Sequence, residues 1–214
     1  MRTRIARSAF AGITALVVVA MILQIPITAD RGEPFFTTPV SRVVNLFFYF
    51  TIVSNLLVAG VSARLALNPK PLSRAMASVH LASLVNIVIT GVVYHVMLAA
   101  DNEPEGIGVF TDLVFHTAIP ILAVAAWLIL GPRGTIDRRV VVWSTVVPIT
   151  WLVVALVRGA VIEWYPYPFI DVLEIGYGGT AAYVAGITAI YLALAFGAMG
   201  IDRMLAPRQE TRSS

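Results

Sequence analysis

The 214-residue chain contains no cysteine. This absence excludes disulfide bonds, thiolate metal sites and a cysteine nucleophile. Charged side chains are also scarce, since they make up 13% of the residues, against about 25% in soluble domains. Hydrophobic residues reach 58% of the chain, and the mean hydropathy is +0.85. This balance indicates a protein whose main solvent is lipid rather than water.

Six apolar stretches are each long enough to cross a hydrocarbon core of roughly 30 Å as a helix. They lie at about residues 8–27, 43–66, 75–98, 110–131, 140–161 and 179–200. We therefore predict one integral membrane domain over residues 1–214, an all-α bundle of six transmembrane helices with residues 201–214 as a cytoplasmic tail. The first stretch is predicted to stay as a span, because it is too long for a signal sequence and lacks a good cleavage site.

Charge separates the two ends of this predicted bundle. One end holds 12 of the 15 basic residues: Arg2, Arg4, Arg7, Arg64, Lys70, Arg74, Arg133, Arg138, Arg139, Arg203, Arg208 and Arg212. The other end holds 9 of the 12 acidic residues: Asp30, Glu33, Asp101, Glu103, Glu105, Asp112, Glu163, Asp171 and Glu174. The positive-inside rule then predicts that both termini are cytoplasmic. The basic residues form no stripe with aromatic residues, so we predict no nucleic-acid partner.

Ionisable side chains within a span are candidates for function, because they are costly to place in lipid. His116 enters the fourth span, and Asp112 lies four residues earlier on the same helical face. Asp112 could hold the imidazole tautomer as the carboxylate of a catalytic triad does, or His116 could be a solvated residue at the helix mouth. Pro120 removes the amide that would bond the His116 carbonyl, so we expect a bend and a cavity there.

His95 lies near the outer end of the third span, where it could be interfacial and solvated or could support catalysis. It stands about 22 Å from His80 on the same helix, so those two cannot share a metal. A metal enzyme would need His95, Asp112 and His116 to converge. We predict neither a metal nor a cofactor.

Thr51 lies in the second predicted span at a depth of roughly 13 Å, in the same leaflet as His116. A hydroxyl and an imidazole at comparable depth can form a nucleophile and its base, since a neutral hydroxyl attacks an ester only when a base takes its proton. Alternatively, Thr51 bonds the backbone of its own helix, as membrane threonines usually do.

Three stretches of the sequence resemble the androgen-induced membrane hydrolases, which split fatty acid esters of hydroxy fatty acids, and their bacterial six-helix relatives. The stretches are Tyr49-Phe50-Thr51 followed by Ser54-Asn55, then His116-Thr117 with Pro120 a turn later, and finally Trp164-Tyr165-Pro166-Tyr167-Pro168-Phe169-Ile170-Asp171 ahead of Gly176-Tyr177. Their order and separation, with six spans around them, cover nearly the whole chain.

The resemblance implies an intramembrane hydrolase of lipid esters, with Thr51 as the nucleophile and His116 as the base. It also implies a bacterial inner (plasma) membrane location and contact with membrane lipids and a hydrophobic ester substrate. Asn55 and the Tyr167 hydroxyl are candidates for the oxyanion donor that acyl transfer needs. The alternative is a non-catalytic membrane protein that binds lipid or a small solute, or a structural partner. The sequence assigns no oligomeric state.

Overall fold

Helices dominate the fold of this chain. A computed structural model describes residues 2–68 and 71–206. Helix makes up 83% of it, and no β-strand occurs in the described ranges, which confirms the predicted all-α class.

The helices follow one another in chain order with short connections. The α-helices of the described ranges are α1 (Arg2–Asp30), α2 (Pro39–Leu46), α3 (Phe50–Leu67), α4 (Arg74–Val93), α5 (Ile107–Leu113), α6 (Ile119–Leu130), α7 (Arg138–Ser144), α8 (Val146–Ile162) and α9 (Val172–Leu205). Two π-helical turns (Tyr94–Leu98 and Val114–Ala118) and two 3-10 turns (Ala99–Asp101 and Pro168–Ile170) complete them.

Within the described ranges, six helical segments are long and apolar enough to cross a membrane, and each overlaps one predicted span. They are Thr3–Asp30, Phe50–Leu67, Arg74–Leu98, Ile107–Leu130, Arg138–Ile162 and Val172–Leu205. Large apolar side chains also cover the outside of the bundle, among them Ile22, Ile129, Val157 and Val161. In water this surface would be unfavourable, so the fold is that of an integral, multi-pass membrane protein.

The third spanning segment forms the centre of the bundle. In its most apolar 18-residue window 61% of the residues are buried, against 11% for the segment formed by α9. α3, α6 and α7 all pack on α4, and α1 packs on α3 from the outside. Leu81, Ala82 and Ile87 of α4 are almost completely buried in these contacts.

The second predicted span, 43–66, is two helices rather than one. α2 ends at Leu46, and three tight turns lead to Tyr49, whose backbone is extended. The indole of Trp151 donates a hydrogen bond to the Phe48 carbonyl, with 2.9 Å between nitrogen and oxygen. A carbonyl that the break releases is thereby satisfied within the bundle, as the lipid environment requires. Consequently Thr51 lies in the first turn of α3 rather than deep inside a long helix.

The fifth span is also interrupted, at Thr145 between α7 and α8. Pro148 has no amide hydrogen to offer the Ser144 carbonyl. Tyr191 of α9 supplies the missing donor, because its hydroxyl donates to that carbonyl over 2.8 Å.

The sixth span is longer than the predicted 179–200. α9 runs to Leu205, and Gly176 interrupts its first turns with φ +68° and ψ 170°, a conformation open to glycine. The predicted tail at 201–214 thus begins inside this helix, and residues 207–214 lie outside the described part of the chain.

Asp202 ties the end of α9 to the loop between α6 and α7. Its side chain is fully buried, and its two carboxylate oxygens accept hydrogen bonds from the backbone amides of Gly134 (3.0 Å) and Ile136 (2.9 Å). Gly134 has a positive φ of 68°, which a glycine adopts without strain. A buried carboxylate is tolerated here because backbone donors satisfy both oxygens.

Replacement of Asp202 by alanine should lower the free energy of unfolding by about 3 kcal/mol, since the buried Ile136 amide and the partly buried Gly134 amide lose a charged acceptor. Thermal unfolding of purified protein in detergent should show a fall of the midpoint by about 6 °C or more. Arg203→Ala, an exposed neighbour, is the control. Equal midpoints for the two variants would contradict a role for this clamp.

Candidate active site

A cavity of about 780 Å³ opens at the end of the bundle where α1 ends and α3 begins. Four of the predicted site residues line it: Thr51, Asp112, His116 and Tyr167. Further carboxylates stand at its walls: Asp30, Glu33, Glu103 and Glu105. The cavity therefore joins the predicted chemical groups to the acidic end of the bundle.

His116 and Asp112 are in direct contact. The imidazole Nδ1 lies 3.0 Å from the carboxylate Oδ1, as their spacing of four residues predicted. Because a carboxylate can only accept, Nδ1 is the donor and carries the ring's proton. The lone pair of a neutral imidazole is then at Nε2, and no described residue makes a hydrogen bond to that atom. The ring is thus oriented with its basic nitrogen uncommitted.

Two further side chains fix the Asp112 carboxylate. The Tyr94 hydroxyl donates to Oδ2 over 2.8 Å, and the Asn102 amide donates to Oδ1 over 2.9 Å. The same Asn102 nitrogen lies 2.8 Å from the Tyr94 hydroxyl oxygen, which closes the network. A carboxylate with this many donors resists rotation, which is what orienting an imidazole requires.

Both π-helical turns of the structure meet at this network. Tyr94 begins one of them and His116 is the middle residue of the other, and their rings stack with centroids 3.7 Å apart and planes 10° apart. Pro120 has no amide hydrogen, so the His116 carbonyl lacks its usual α-helical donor. The π turn lies at this point, where the sequence predicted an irregular helix. A π turn re-aims the side chains that it carries, and such turns are frequent at functional sites.

His95 does not reach the cavity. Its Nε2 lies 3.0 Å from the Thr117 hydroxyl, and the ring is exposed at the bundle surface. Because the two residues belong to different π turns, this hydrogen bond joins those turns. His95 is therefore linked to the predicted site through the π turn that carries His116, and not through Thr51.

Thr51 presents its hydroxyl to Tyr167. The two side-chain oxygens are 3.4 Å apart, and the Thr51 amide donates to the Tyr167 hydroxyl over 3.3 Å. This amide is free for the contact because it belongs to the first turn of α3, where backbone N–H groups have no partner within the helix. Thr51 and His116 thus share a cavity without a direct hydrogen bond between them.

Asn55 joins the backbones that carry Thr51 and His116. Its side-chain nitrogen donates to the Thr51 carbonyl over 2.8 Å and to the Phe115 carbonyl over 3.2 Å, and the side chain is fully buried. Both amide hydrogens are therefore used, which leaves none for an oxyanion. Asn55 acts as a tie between α3 and the second π turn.

Tyr167 is buried among aromatic rings. Its ring stacks on Phe169 at 5.1 Å and meets the edges of Tyr49 at 5.8 Å. Burial raises the pKa of the Tyr167 phenol, although hydrogen bonds from Thr51 and the Phe50 amide oppose that shift. The phenol is consequently neutral at ordinary pH and keeps a proton that it can donate beside Thr51.

A second, almost wholly apolar cavity of about 270 Å³ lies on the other side of Thr51. Its walls come mainly from α4, α8 and α9, and it shares both Thr51 and Tyr167 with the polar cavity. The Thr51 hydroxyl therefore stands at the junction of a polar space and an apolar one.

Sequence reasoning assigned no role to Tyr94, Asn102 or Thr117. Tyr94 could have been suspected as an amphipathic aromatic residue beside His95 near a membrane boundary. Asn102 belongs to an outer loop, and Thr117 gains its partner only through the packing of two π turns, so neither gave a local signal.

No group of three histidine, aspartate or glutamate side chains converges on a possible metal position in the described part of the chain. The metal-enzyme alternative with His95, Asp112 and His116 accordingly has no geometric support, because His95 points away to Thr117. No family model, curated protein or solved structure matches this chain.

Gly91 of α4 lets the turn that carries His116 approach closely. A Cβ atom at this position would lie 3.2 Å from the His116 carbonyl oxygen and 3.2 Å from side-chain carbons of Pro120. Gly91→Val should therefore lower the free energy of unfolding by about 2 to 3 kcal/mol through overpacking. Gly60→Val is the matched control, because a Cβ there meets nothing within 4 Å. Equal unfolding midpoints for the two variants in detergent would show that the contact is not tight.

Proposed function

We propose that the protein is an intramembrane threonine hydrolase that cleaves lipid esters, such as fatty acid esters of hydroxy fatty acids or similar acyl esters. The observation that carries this proposal is the oriented His116–Asp112 pair, which faces the same cavity as the Thr51 hydroxyl. An imidazole held by a carboxylate and left with an unpaired Nε2 is the arrangement that general-base catalysis needs.

In the proposed reaction the Thr51 oxygen attacks the ester carbonyl carbon while His116 Nε2 takes the hydroxyl proton. The tetrahedral intermediate then collapses, the ester C–O bond breaks, and His116 returns the proton to the leaving alcohol. Water from the polar cavity hydrolyses the acyl-threonine by the same steps, which regenerates the Thr51 hydroxyl. Substrate or water would bridge the space between Thr51 and His116, since no hydrogen bond joins them in the free protein.

The oxyanion of the intermediate would be stabilised by the start of α3. The Thr51 amide has no partner within the helix, lies at the positive end of the helix dipole, and would turn from the Tyr167 hydroxyl to the oxyanion. The neutral Tyr167 phenol is the second donor, 3.4 Å from the Thr51 hydroxyl oxygen. Both groups are held in place before substrate arrives, which is the condition for electrostatic stabilisation of a transition state.

The competing function is non-catalytic binding of a lipid or a small solute. One observation favours it: the Thr51 hydroxyl pairs with Tyr167 rather than with an imidazole. In that reading the Asp112 network stabilises the mouth of a binding cavity and Thr51 only contributes to the packing of Tyr167. The two functions differ in whether replacement of Thr51 abolishes turnover.

We also propose that both termini are cytoplasmic and that the polar cavity opens outside the cytoplasm, at the outer face of a bacterial inner membrane. Arginines of the described residues lie at the end of the bundle opposite the cavity: Arg4, Arg7, Arg64, Arg74, Arg133, Arg138, Arg139 and Arg203. Lys70, Arg208 and Arg212 of the predicted charge pattern lie outside the described residues. The positive-inside rule supports this orientation, as does the acidic rim of the cavity.

Thr51→Ala and His116→Ala should each reduce hydrolysis of fatty-acyl esters by about a thousandfold or more, because each removes a group that acts in every turnover. Asp112→Asn should cost at least about a hundredfold, since the imidazole loses the acceptor that fixes its tautomer. Release of fatty acid by protein purified in detergent measures these rates.

Ser54→Ala is the matched control, because Ser54 is a buried hydroxyl on the same helix whose Oγ has no hydrogen-bond partner. It should keep nearly the full rate. Hydrolysis by the wild type that persists at full rate in Thr51→Ala would exclude the proposed nucleophile.

Topology can be tested on a clean background, because the chain has no cysteine. Glu105→Cys, in an exposed position near the cavity mouth, should react with a membrane-impermeant maleimide added to intact cells. Arg138→Cys, exposed at the start of α7, should react only after the membrane is opened. The reverse labelling pattern would overturn the proposed orientation.

A further inference from the structure

The two cavities that meet at Thr51 differ in chemistry. His116, Asp112 and the carboxylates line only the polar cavity, whereas Thr51, Leu98 and Tyr167 line both. Thr51 carries the aliphatic hydroxyl among these three shared residues, so a molecule that reaches from one cavity to the other past Thr51 has its polar part on the His116 side.

The apolar cavity, here called the chamber, has the character of a hydrocarbon site. α4 contributes Ile89 and Val93, α8 contributes Pro148 and Leu152, and α9 contributes Ile187 to its walls. One of its few polar lining groups, the Thr145 hydroxyl, already donates a hydrogen bond to the Val142 carbonyl over 2.7 Å. No charged side chain of the described residues lines the chamber, so it is suited to an alkyl chain.

The chamber runs along the bundle axis. On α9 its lining extends from Val184 to Leu192, eight residues apart, which corresponds to about 12 Å. An extended alkyl chain advances about 1.25 Å per carbon with bonds of about 1.5 Å, so this length fits about ten carbons. The wall is therefore suited to a medium-length chain lying parallel to the helices.

The chamber is also accessible from the side. α8 and α9 both pack against α4 and hardly against each other. Two of its lining residues at this gap are exposed on the bundle surface, Ile149 by 56% and Leu192 by 37%. This surface faces lipid in the proposed arrangement, so a chain can enter from the bilayer without crossing water.

We propose that the chamber binds the acyl chain of the ester and selects chains of about ten carbons, while the alcohol portion occupies the polar cavity. This inference rests on the proposed function. The assignment of the two halves follows from the reaction: His116 must protonate the leaving alcohol, and His116 borders only the polar cavity. The acyl half, which stays bonded to Thr51 until water hydrolyses it, therefore lies in the chamber.

Thr188 of α9 is the residue best placed to test this site. It lines the chamber between Val184 and Leu192, and it is not part of the catalytic machinery. Thr188 is itself exposed, and a phenylalanine at this position should extend into the chamber between Val184 and Leu192 and narrow it. Ala189→Phe is the matched control, since Ala189 is the exposed next residue of α9 and does not line the chamber.

The binding experiment uses a monodecanoyl glycerol ester with a diazirine near the methyl end of its chain. Thr51→Ala protein is illuminated with this probe, so turnover does not remove the ester. Adducts should fall on residues 145–152 and 184–192, and Thr188→Phe added to this background should reduce them about tenfold, whereas Ala189→Phe should not. Adducts elsewhere, equal labelling in both variants, or equally strong labelling by a diazirine phospholipid would overturn the acyl site.

The hydrolysis experiment compares nitrophenyl acetate, decanoate and palmitate with otherwise native protein. Wild type should prefer decanoate, and Thr188→Phe should lower kcat/KM for decanoate by about tenfold or more while acetate changes little. Parallel losses on acetate and decanoate, or no loss on either, would overturn the chain-length assignment while Thr51-dependent hydrolysis still stood. If no ester is hydrolysed, the proposed function fails, and the labelling pattern alone decides whether the chamber holds an acyl chain.

Discussion

Backbone groups within a bilayer must find partners inside the protein, and this constraint shapes each interruption of the helices. Trp151 bonds the carbonyl of Phe48 beside the break before α3, and Tyr191 bonds the carbonyl of Ser144 beside the break before α8. Asn55 bonds the Phe115 carbonyl where the second π turn begins. Each of these donors comes from a different helix than its acceptor. The irregular points are therefore also the points at which the bundle is tied together.

The candidate site is built from two of these irregular points. Because α3 begins at Phe50, the Thr51 amide has no partner within the helix and donates to Tyr167 instead, and the positive end of the helix dipole lies beside the Thr51 hydroxyl. Because the fourth span widens at Val114–Ala118, His116 stacks on Tyr94 while it keeps its contact with Asp112. A continuous helix through residues 47–50 would pair the Thr51 amide within the helix, whereas the Asp112–His116 contact needs only the spacing of four residues. Local irregularity and proposed chemistry thus have the same structural origin.

Much of the candidate site could be predicted from residue type and spacing. Asp112 and His116 were expected to meet because residues four apart share a helical face, and they do. Thr51 was singled out by its depth in the span and by a resemblance, Tyr167 through the resemblance, and both line the cavity. Asn55 was expected near Thr51, but its amide holds two carbonyls rather than facing the cavity. Which way a buried amide points depends on acceptors from other helices, and local sequence carries no information about them.

The sequence by itself determined the helical class and the six apolar segments of spanning length, because hydropathy over a 20-residue stretch depends on composition and not on neighbours. It also determined the His116–Asp112 pair, whose geometry is set within one helix. Tertiary structure alone decided the break before Thr51, the two π turns and the meeting of a polar cavity with an apolar one at Thr51. These features depend on hydrogen bonds and packing between segments up to 116 residues apart, as for Thr51 and Tyr167. Such contacts have no local signature, because either partner alone would be compatible with an ordinary helix or loop.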